Sequence, residues 1–160
     1  MLAQDIMSHP VVTVGPRTRI EEVVTTLGQR RLSAVAVVDD AGHPLGIVSV
    51  SDLLFRVAHV NLPPHVEILG STIYLDTPKH MEERLQKLGA VFAEDLMSKP
   101  PVSVQATDAV ESVADVLMSR KVHRVLVLSD GRLAGIITRG DVVRQSLAAQ
   151  WKKNFSDSGT

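Results

Sequence analysis

The sequence predicts a mixed α/β (α+β) chain, built from two β-α-β-β-α motifs packed with pseudo-two-fold symmetry. Three observations predict it. The first is an internal duplication: "DIMSHPVVTV" near the N-terminus matches "DLMSKPPVSV" from Asp95, and "GIVSVSD" (Gly46–Asp52) matches "GIITRGD" (Gly135–Asp141). The match passes through charged and turn positions as well as apolar ones, which a shared preference for Val would not produce. The second is periodicity. Each copy carries one stretch of helical spacing followed by two short continuous apolar runs, the mark of strands covered on both faces. The third is size. A copy of about fifty residues is too small to bury a good core alone, so two copies must share one.

The elements follow in order. Val11–Val14, after Pro10, reads as a short extended stretch. Thr18 with Glu21, and Asp108 with Glu111, fit capping boxes that would start the first long helix of each copy. Ile20, Val23, Val24 and Leu27 share one helical face, and Val110, Val113, Ala114 and Leu117 repeat it. "AVAVV" and "VLVL" are the central strands, "DDAGHP" and "SDGR" the turns, and "LGIVSV" and "LAGIIT" the second strands. Asp52 and Asp141 open a last helix, over Leu53–His59 and from Val142 to about Trp151. The division expected is motif 1 over 1–59, an insert over 60–94, motif 2 over 95–150 and a frayed tail over 151–160. The insert begins with a Pro-Pro break and is too apolar for a disordered linker. Thr77-Pro78 reads as a helix start there, with Met81, Leu85 and Leu88 on one face.

Composition narrows the function. Apolar residues make up 44% of 160, and most are aliphatic. Formal net charge is −1 with no basic block, so there is no electrostatic reason to expect nucleic acid. The chain has no Cys, which excludes disulfides, thiolate metal sites and a Cys nucleophile. The N-terminus lacks a signal-peptide pattern, and the longest apolar run, Ala34–Val38, cannot span a bilayer. A cytoplasmic protein without a membrane segment is expected. The six His residues show no metal-site spacing, and no GxSxG, P-loop or GxGxxG motif is present. Neither a dedicated metal site nor an enzyme is expected.

The duplicated phrases resemble tandem CBS (cystathionine-β-synthase) domains, the pair called a Bateman module. The resemblance covers about 5–59 and 95–150. It implies the β-α-β-β-α fold, adenosine-containing ligands (AMP, ADP, ATP, S-adenosylmethionine, sometimes NAD) in clefts between the motifs, a regulatory role, and pairing into a homodimer. No cofactor is obligatory, and magnesium enters only as the companion of a bound nucleotide. No effector domain is legible, so a sensor of this kind would report to an effector protein that the sequence does not name. The second reading is a structural or dimerisation module with vestigial sites, acting through protein partners.

Residue chemistry and the resemblance meet at two places. A carboxylate beside a hydroxyl at a helix start can accept hydrogen bonds from the vicinal diol of a ribose. Asp52 with Ser49, and Asp141 with Thr138, are the candidates; the ordinary role of such an Asp is a helix cap. The resemblance implies phosphate contacts from "KVHRV", namely Lys121, His123 and Arg124, with Arg139 of "TRGD" as a further candidate. In copy one Ser33 and Ala34 stand where copy two has His123 and Arg124, and the charges move upstream to Arg30 and Arg31, so the two clefts should differ. Each cleft would pair the Asp of one motif with the first strand of the other. Asp141 would therefore face about 7–13, and Asp52 about 97–103. Val12, Val102, Ile136 and Ile47 are candidates for the apolar adenine wall.

Overall fold

The structure, a computed structural model, describes residues 1–57, 65–68, 71–74 and 89–156. Its elements are α1 (Ala3–Ile6), β1 (Thr13–Val14), α2 (Ile20–Arg30), β2 (Ala34–Val38), β3 (Pro44–Ser49), α3 (Val50–Val57), β4 (His65–Ile68), β5 (Ser71–Tyr74), α4 (Ala93–Leu96), β6 (Ser103–Gln105), α5 (Val110–Ser119), β7 (Arg124–Ser129), β8 (Arg132–Thr138) and α6 (Arg139–Ser156). Two three-stranded sheets, β1-β2-β3 and β6-β7-β8, repeat one topology, and β4-β5 form an antiparallel hairpin. In the second sheet β6 runs parallel to β7, whereas β7 and β8 are antiparallel. A mixed α/β fold made of two equivalent motifs is thus what the chain adopts. The hairpin within the insert has no counterpart in the sequence expectation, and the helix expected after Thr77-Pro78 lies outside the described residues, as does His59.

The chain divides into two compact units that cut across the sequence halves. The first-motif unit comprises Thr13–Val37 and Leu45–Lys99. The second-motif unit comprises Met1–Val12, Val38–Pro44 and Pro100–Thr160. Each unit thus takes up the segment that opens the other half of the sequence.

In the second-motif unit Ala3, Ile6, Val104, Ala106, Val110, Val113, Leu117, Val125, Val127 and Ile137 form one buried cluster. Burying an aliphatic side chain of this size stabilises by about 1.5–3 kcal/mol, so the cluster holds α1, α5 and the sheet together. In the first-motif unit Ile20, Val23, Leu27, Val35, Val37, Val48 and Leu96 are buried at the corresponding places. Val24, expected on the same face of α2, is 48% exposed. It sits at the edge of the helical stripe, on the far side from Val23.

The capping boxes expected at Thr18 and Asp108 do not form. α2 and α5 start at Ile20 and Val110, behind Arg19 and Ala109, neither of which makes a side-chain cap. Thr18 Oγ1 instead accepts the Gly15 N–H at 3.1 Å, and Asp108 Oδ2 accepts the Gln105 N–H at 2.8 Å. The turns so closed point their carbonyls at the short helices: Ala3 N–H donates to the Asp108 carbonyl at 2.8 Å, and Ala93 N–H to that of Thr18 at 2.8 Å. The orphan donors that begin α1 and α4 are satisfied in this way by distant backbone.

The last helix of each copy starts three residues earlier than expected, at Val50 and Arg139. The final helix also runs on to Ser156, with no Gly or Pro to stop it between Gly140 and Gly159.

Candidate functional site

The earlier helix starts make Thr138 and Ser49 the N-cap residues and place Asp141 and Asp52 third in their helices. Thr138 donates its backbone N–H (2.8 Å) and its hydroxyl (2.7 Å) to Asp141 Oδ2. Its Oγ1 accepts the Asp141 N–H at 3.3 Å. This reciprocal pattern is a capping box, with Asp in the place of Glu. Ser49 repeats the carboxylate half of it, donating N–H (2.9 Å) and Oγ–H (2.7 Å) to Asp52 Oδ2. Among the described residues Asp52 and Asp141 are the buried charged side chains, 8% and 9% exposed. Carboxylates are rarely buried unless partnered, so both positions are built rather than incidental.

Burial pushes the Asp141 carboxyl up. The two Thr138 hydrogen bonds and the neighbouring Arg144 guanidinium outweigh burial and hold it below the usual carboxylate range. Asp141 is therefore ionised at neutral pH and acts as an acceptor. Arg144 donates from Nη2 to Asp141 Oδ1. Arg144 is not among the residues the sequence singles out; its signal is the three-residue spacing from Asp141, which sets two side chains on one helix face.

The strand leading to each hydroxyl residue is crossed by the phrase "MS". In the second-motif unit Ser8 N–H donates to the Ile136 carbonyl at 2.9 Å, and Ile136 N–H donates to that of Ser8 at 3.1 Å. In the first-motif unit Ser98 N–H donates to the Ile47 carbonyl at 2.9 Å, and Ile47 N–H returns the bond at 3.2 Å. The glycine beside each bridge makes the crossing possible. A Cβ on Gly46 would lie 2.6 Å from Met97 Sδ and 2.9 Å from the Ser98 carbonyl, and one on Gly135 would lie 2.6 Å from Met7 Cγ. The two duplicated phrases are therefore partners: "MS" seats on "GI" in each unit, and the "GI" strand delivers the hydroxyl–carboxylate pair.

The candidate residues divide as follows. Ile136, Thr138, Asp141, Arg124, His123, Lys121, Arg139 and Val12 all belong to the second-motif unit. Arg124 is the cross-strand partner of Thr138 and is half-buried. His123 is exposed, and its carbonyl accepts the Arg139 N–H at 3.2 Å. The structure turns the Arg139 guanidinium onto backbone: Nε donates to the Val122 carbonyl at 2.9 Å, and Nη2 to that of Leu117 at 3.4 Å. It thereby caps the end of α5. Lys121 is exposed with φ 54°, following α5, and Arg31 is exposed with φ 52°, following α2. Val122 N–H reaches back to the Leu117 carbonyl, and Leu32 N–H to that of Leu27, which completes a Schellman ending in each case.

Ile47, Ser49, Asp52 and Arg31 belong to the first-motif unit. Ile47, Ile136 and Val12 are half-buried. Val102 belongs to the second-motif unit, where it packs against the buried cluster and accepts the Leu126 N–H at 3.0 Å. The structure thus brings Ser8, Ile136, Thr138 and Asp141 together along β8 and the helix start that follows it, with Arg124 beside Thr138 on the neighbouring strand β7, whereas the Arg139 guanidinium is turned onto backbone carbonyls.

No group of three or more His, Asp or Glu is arranged to hold a metal ion among the described residues, and among them no helix is long and apolar enough to cross a membrane.

Comparison with known proteins agrees with this geometry. The family model for the CBS domain matches residues 3–59 and 93–148. The CBS domain-containing protein CBSX1, chloroplastic, of Arabidopsis thaliana is 31% identical over 142 residues, spanning 84% of this chain and 58% of its own. The chain thus covers less than two thirds of that relative. The 5'-AMP-activated protein kinase subunit gamma-3 of Homo sapiens is 27% identical over 149 residues, 92% of this chain and 27% of its own length. The crystal structure of CBSX2 in complex with AMP, a protein also from Arabidopsis thaliana, superposes with a TM-score of 0.75 at 27% identity, over 92% of this chain and 97% of that one. With the family model on both copies and the repeated topology in place, the chain belongs to the CBS-domain family as a tandem CBS pair.

Proposed function

We propose that this chain is a regulatory, ligand-sensing module that binds an adenosine-containing nucleotide and signals by a change of conformation or of homodimer packing. One observation carries the reading: each copy buries a carboxylate at a helix start beside a hydroxyl. Asp141 with Thr138, and Asp52 with Ser49, would take the ribose diol. Ile136 and Val12 would wall the adenine in the second-motif site, and Ile47 in the first-motif site. Arg124 and His123 would meet the phosphates in the second-motif site with Lys121 at its margin, and Arg31 would stand at the margin of the first-motif site. The AMP complex of CBSX2, a relative of similar fold, supports this class of ligand. Magnesium would come only with a polyphosphate ligand. The output passes to an effector protein, because the module needs differential affinity for two arrangements and not a catalytic group.

A second reading also has an observation in its favour. The Thr138–Asp141 capping box is complete without any ligand. A structural or dimerisation module with vestigial sites would look the same there. A thermal-shift panel with AMP, ADP, ATP, NAD and S-adenosylmethionine, with and without magnesium, separates the two. A ligand at about a hundred times its Kd adds roughly 2.7 kcal/mol, or about 5–11 °C for a chain of this size. A rise with one ligand, lost in Asp141→Ala, is the expected result. A flat panel on protein verified to be free of ligand would overturn the sensing reading in favour of the structural one.

A further inference from the structure

The carboxylate proposed to take the ribose in the second-motif unit already has a cation on it. Arg144 donates to Asp141 Oδ1, and its side chain is 75% exposed whereas that of Asp141 is 12% exposed. Oδ2 meanwhile accepts both the N–H and the hydroxyl of Thr138. An ionised carboxylate offers about four acceptor positions. Three are filled, and a vicinal diol brings two O–H donors, so one donor has to leave. The Thr138 N–H is fixed by the chain. The Thr138 hydroxyl is also held, since Oγ1 accepts the Asp141 N–H. Arg144, on a long exposed stem, is the donor free to swing away.

Moving a guanidinium off a carboxylate breaks a charge-assisted hydrogen bond, one of the stronger kinds. The loss is offset only if the ligand offers another anion. A phosphate on the nucleoside does so, with paired oxygens that match the guanidinium fork. An uncharged nucleoside displaces Arg144 and returns nothing. Copy one has Phe55 at the position aligned with Arg144.

Resting on the nucleotide-binding reading above, we propose that Arg144 is a specificity-determining residue: a displaceable counter-ion that competes with the ribose for Asp141 and transfers to the ligand's phosphate. The site then selects phosphorylated nucleosides over free ones.

The test is calorimetric titration of AMP and of adenosine into the full chain, as wild type, Arg144→Gln, Arg144→Lys and Asp141→Asn. Wild type should prefer AMP by at least roughly tenfold, about 1.4 kcal/mol. Arg144→Gln should tighten adenosine and weaken AMP, so that the preference collapses. Arg144→Lys should retain most of it, and Asp141→Asn should lose both ligands. If Arg144→Gln weakens both ligands alike, Arg144 merely holds Asp141 in place and the proposal fails. If it changes neither, the contact is a solvated ion pair and the proposal fails too. Wild type that binds AMP with an unmoved ratio in Arg144→Gln refutes this inference alone; wild type that binds neither probe refutes the nucleotide reading and this inference with it.

Discussion

Replacing Gly135 by Ala should destabilise the protein, although Ala is the better residue by backbone preference. The added Cβ would lie 2.6 Å from Met7 Cγ and 2.8 Å from Met7 Cβ, and closer still to Met7 Sδ. Carbon atoms in contact sit about 3.5–4.0 Å apart. The sulfur and Cγ can rotate away, but Met7 Cβ moves only with its backbone. That backbone leads into Ser8, whose two hydrogen bonds to Ile136 are 2.9 and 3.1 Å long. Overpacking of this kind costs about 1–3 kcal/mol, and each weakened hydrogen bond forfeits up to roughly 0.5–1.5 kcal/mol. The backbone-entropy gain of Gly→Ala returns about 0.5–1 kcal/mol. The net is a loss of about 1–4 kcal/mol, or a Tm lowered by roughly 2–16 °C at this chain length. Urea unfolding followed by circular dichroism measures it. Met7→Ala in the same chain should relieve part of the cost, with a coupling of about 1 kcal/mol or more in a double-mutant cycle. A Gly135→Ala protein as stable as wild type, or strictly additive effects of the two substitutions, would refute the argument that this glycine exists to seat Met7. Gly46→Ala should behave in the same way, because its Cβ would meet the Ser98 carbonyl, which cannot rotate aside.

Gly28→Ala is the matched contrast. Gly28 lies in α2 with nothing within 4 Å of an added Cβ, so the substitution should stabilise by about 0.5–1 kcal/mol and raise Tm by a few degrees; a fall in Tm would show that the space is not open. The depressed Asp141 carboxyl sets a pH dependence. The folded state binds this proton less tightly than the unfolded chain, so its contribution is complete above the unfolded pKa of about 3.9 and is lost as pH falls through the lower folded value. The difference in unfolding free energy between wild type and Asp141→Asn should be level from about pH 7 to about pH 5 and shrink below about pH 4. A difference that stays level down to about pH 3 would mean that Asp141 is not held ionised by its partners.

Much of the fold can be read from the chain because its signals are local. Three consecutive buried residues in β2 (Val35, Ala36, Val37) and in β7 (Val125, Leu126, Val127) are the continuous apolar runs of the sequence. Ile20, Val23 and Leu27 follow the helical period. The sites are legible in part, since Ser49–Asp52 and Thr138–Asp141 are short-range pairs with chemistry of their own. The helix starts mislead for a specific reason. Thr18–Glu21 and Asp108–Glu111 satisfy the capping-box pattern, yet the donors that Thr18 and Asp108 satisfy belong to the preceding turns. The box that does form, at Thr138, and the matching carboxylate bonds at Ser49 carry Asp instead of Glu, and ligand chemistry is the more conspicuous reading of those pairs. Arg139 misleads similarly, since nothing in "TRGD" reveals that its guanidinium can reach the carbonyls of Val122 and Leu117.

The duplication, the α/β class, the order of the elements and the two hydroxyl–carboxylate pairs are all written in the linear chain. They depend on residues within a few positions of one another, where backbone preference and apolar period act directly. Folding in three dimensions settles the rest: which distant segment seats on each "GI" strand, which turn carbonyls start α1 and α4, and that Arg144 and not Arg139 stands over Asp141. Those outcomes rest on contacts between residues far apart in the chain, or on the direction one long side chain takes, and no local pattern encodes either.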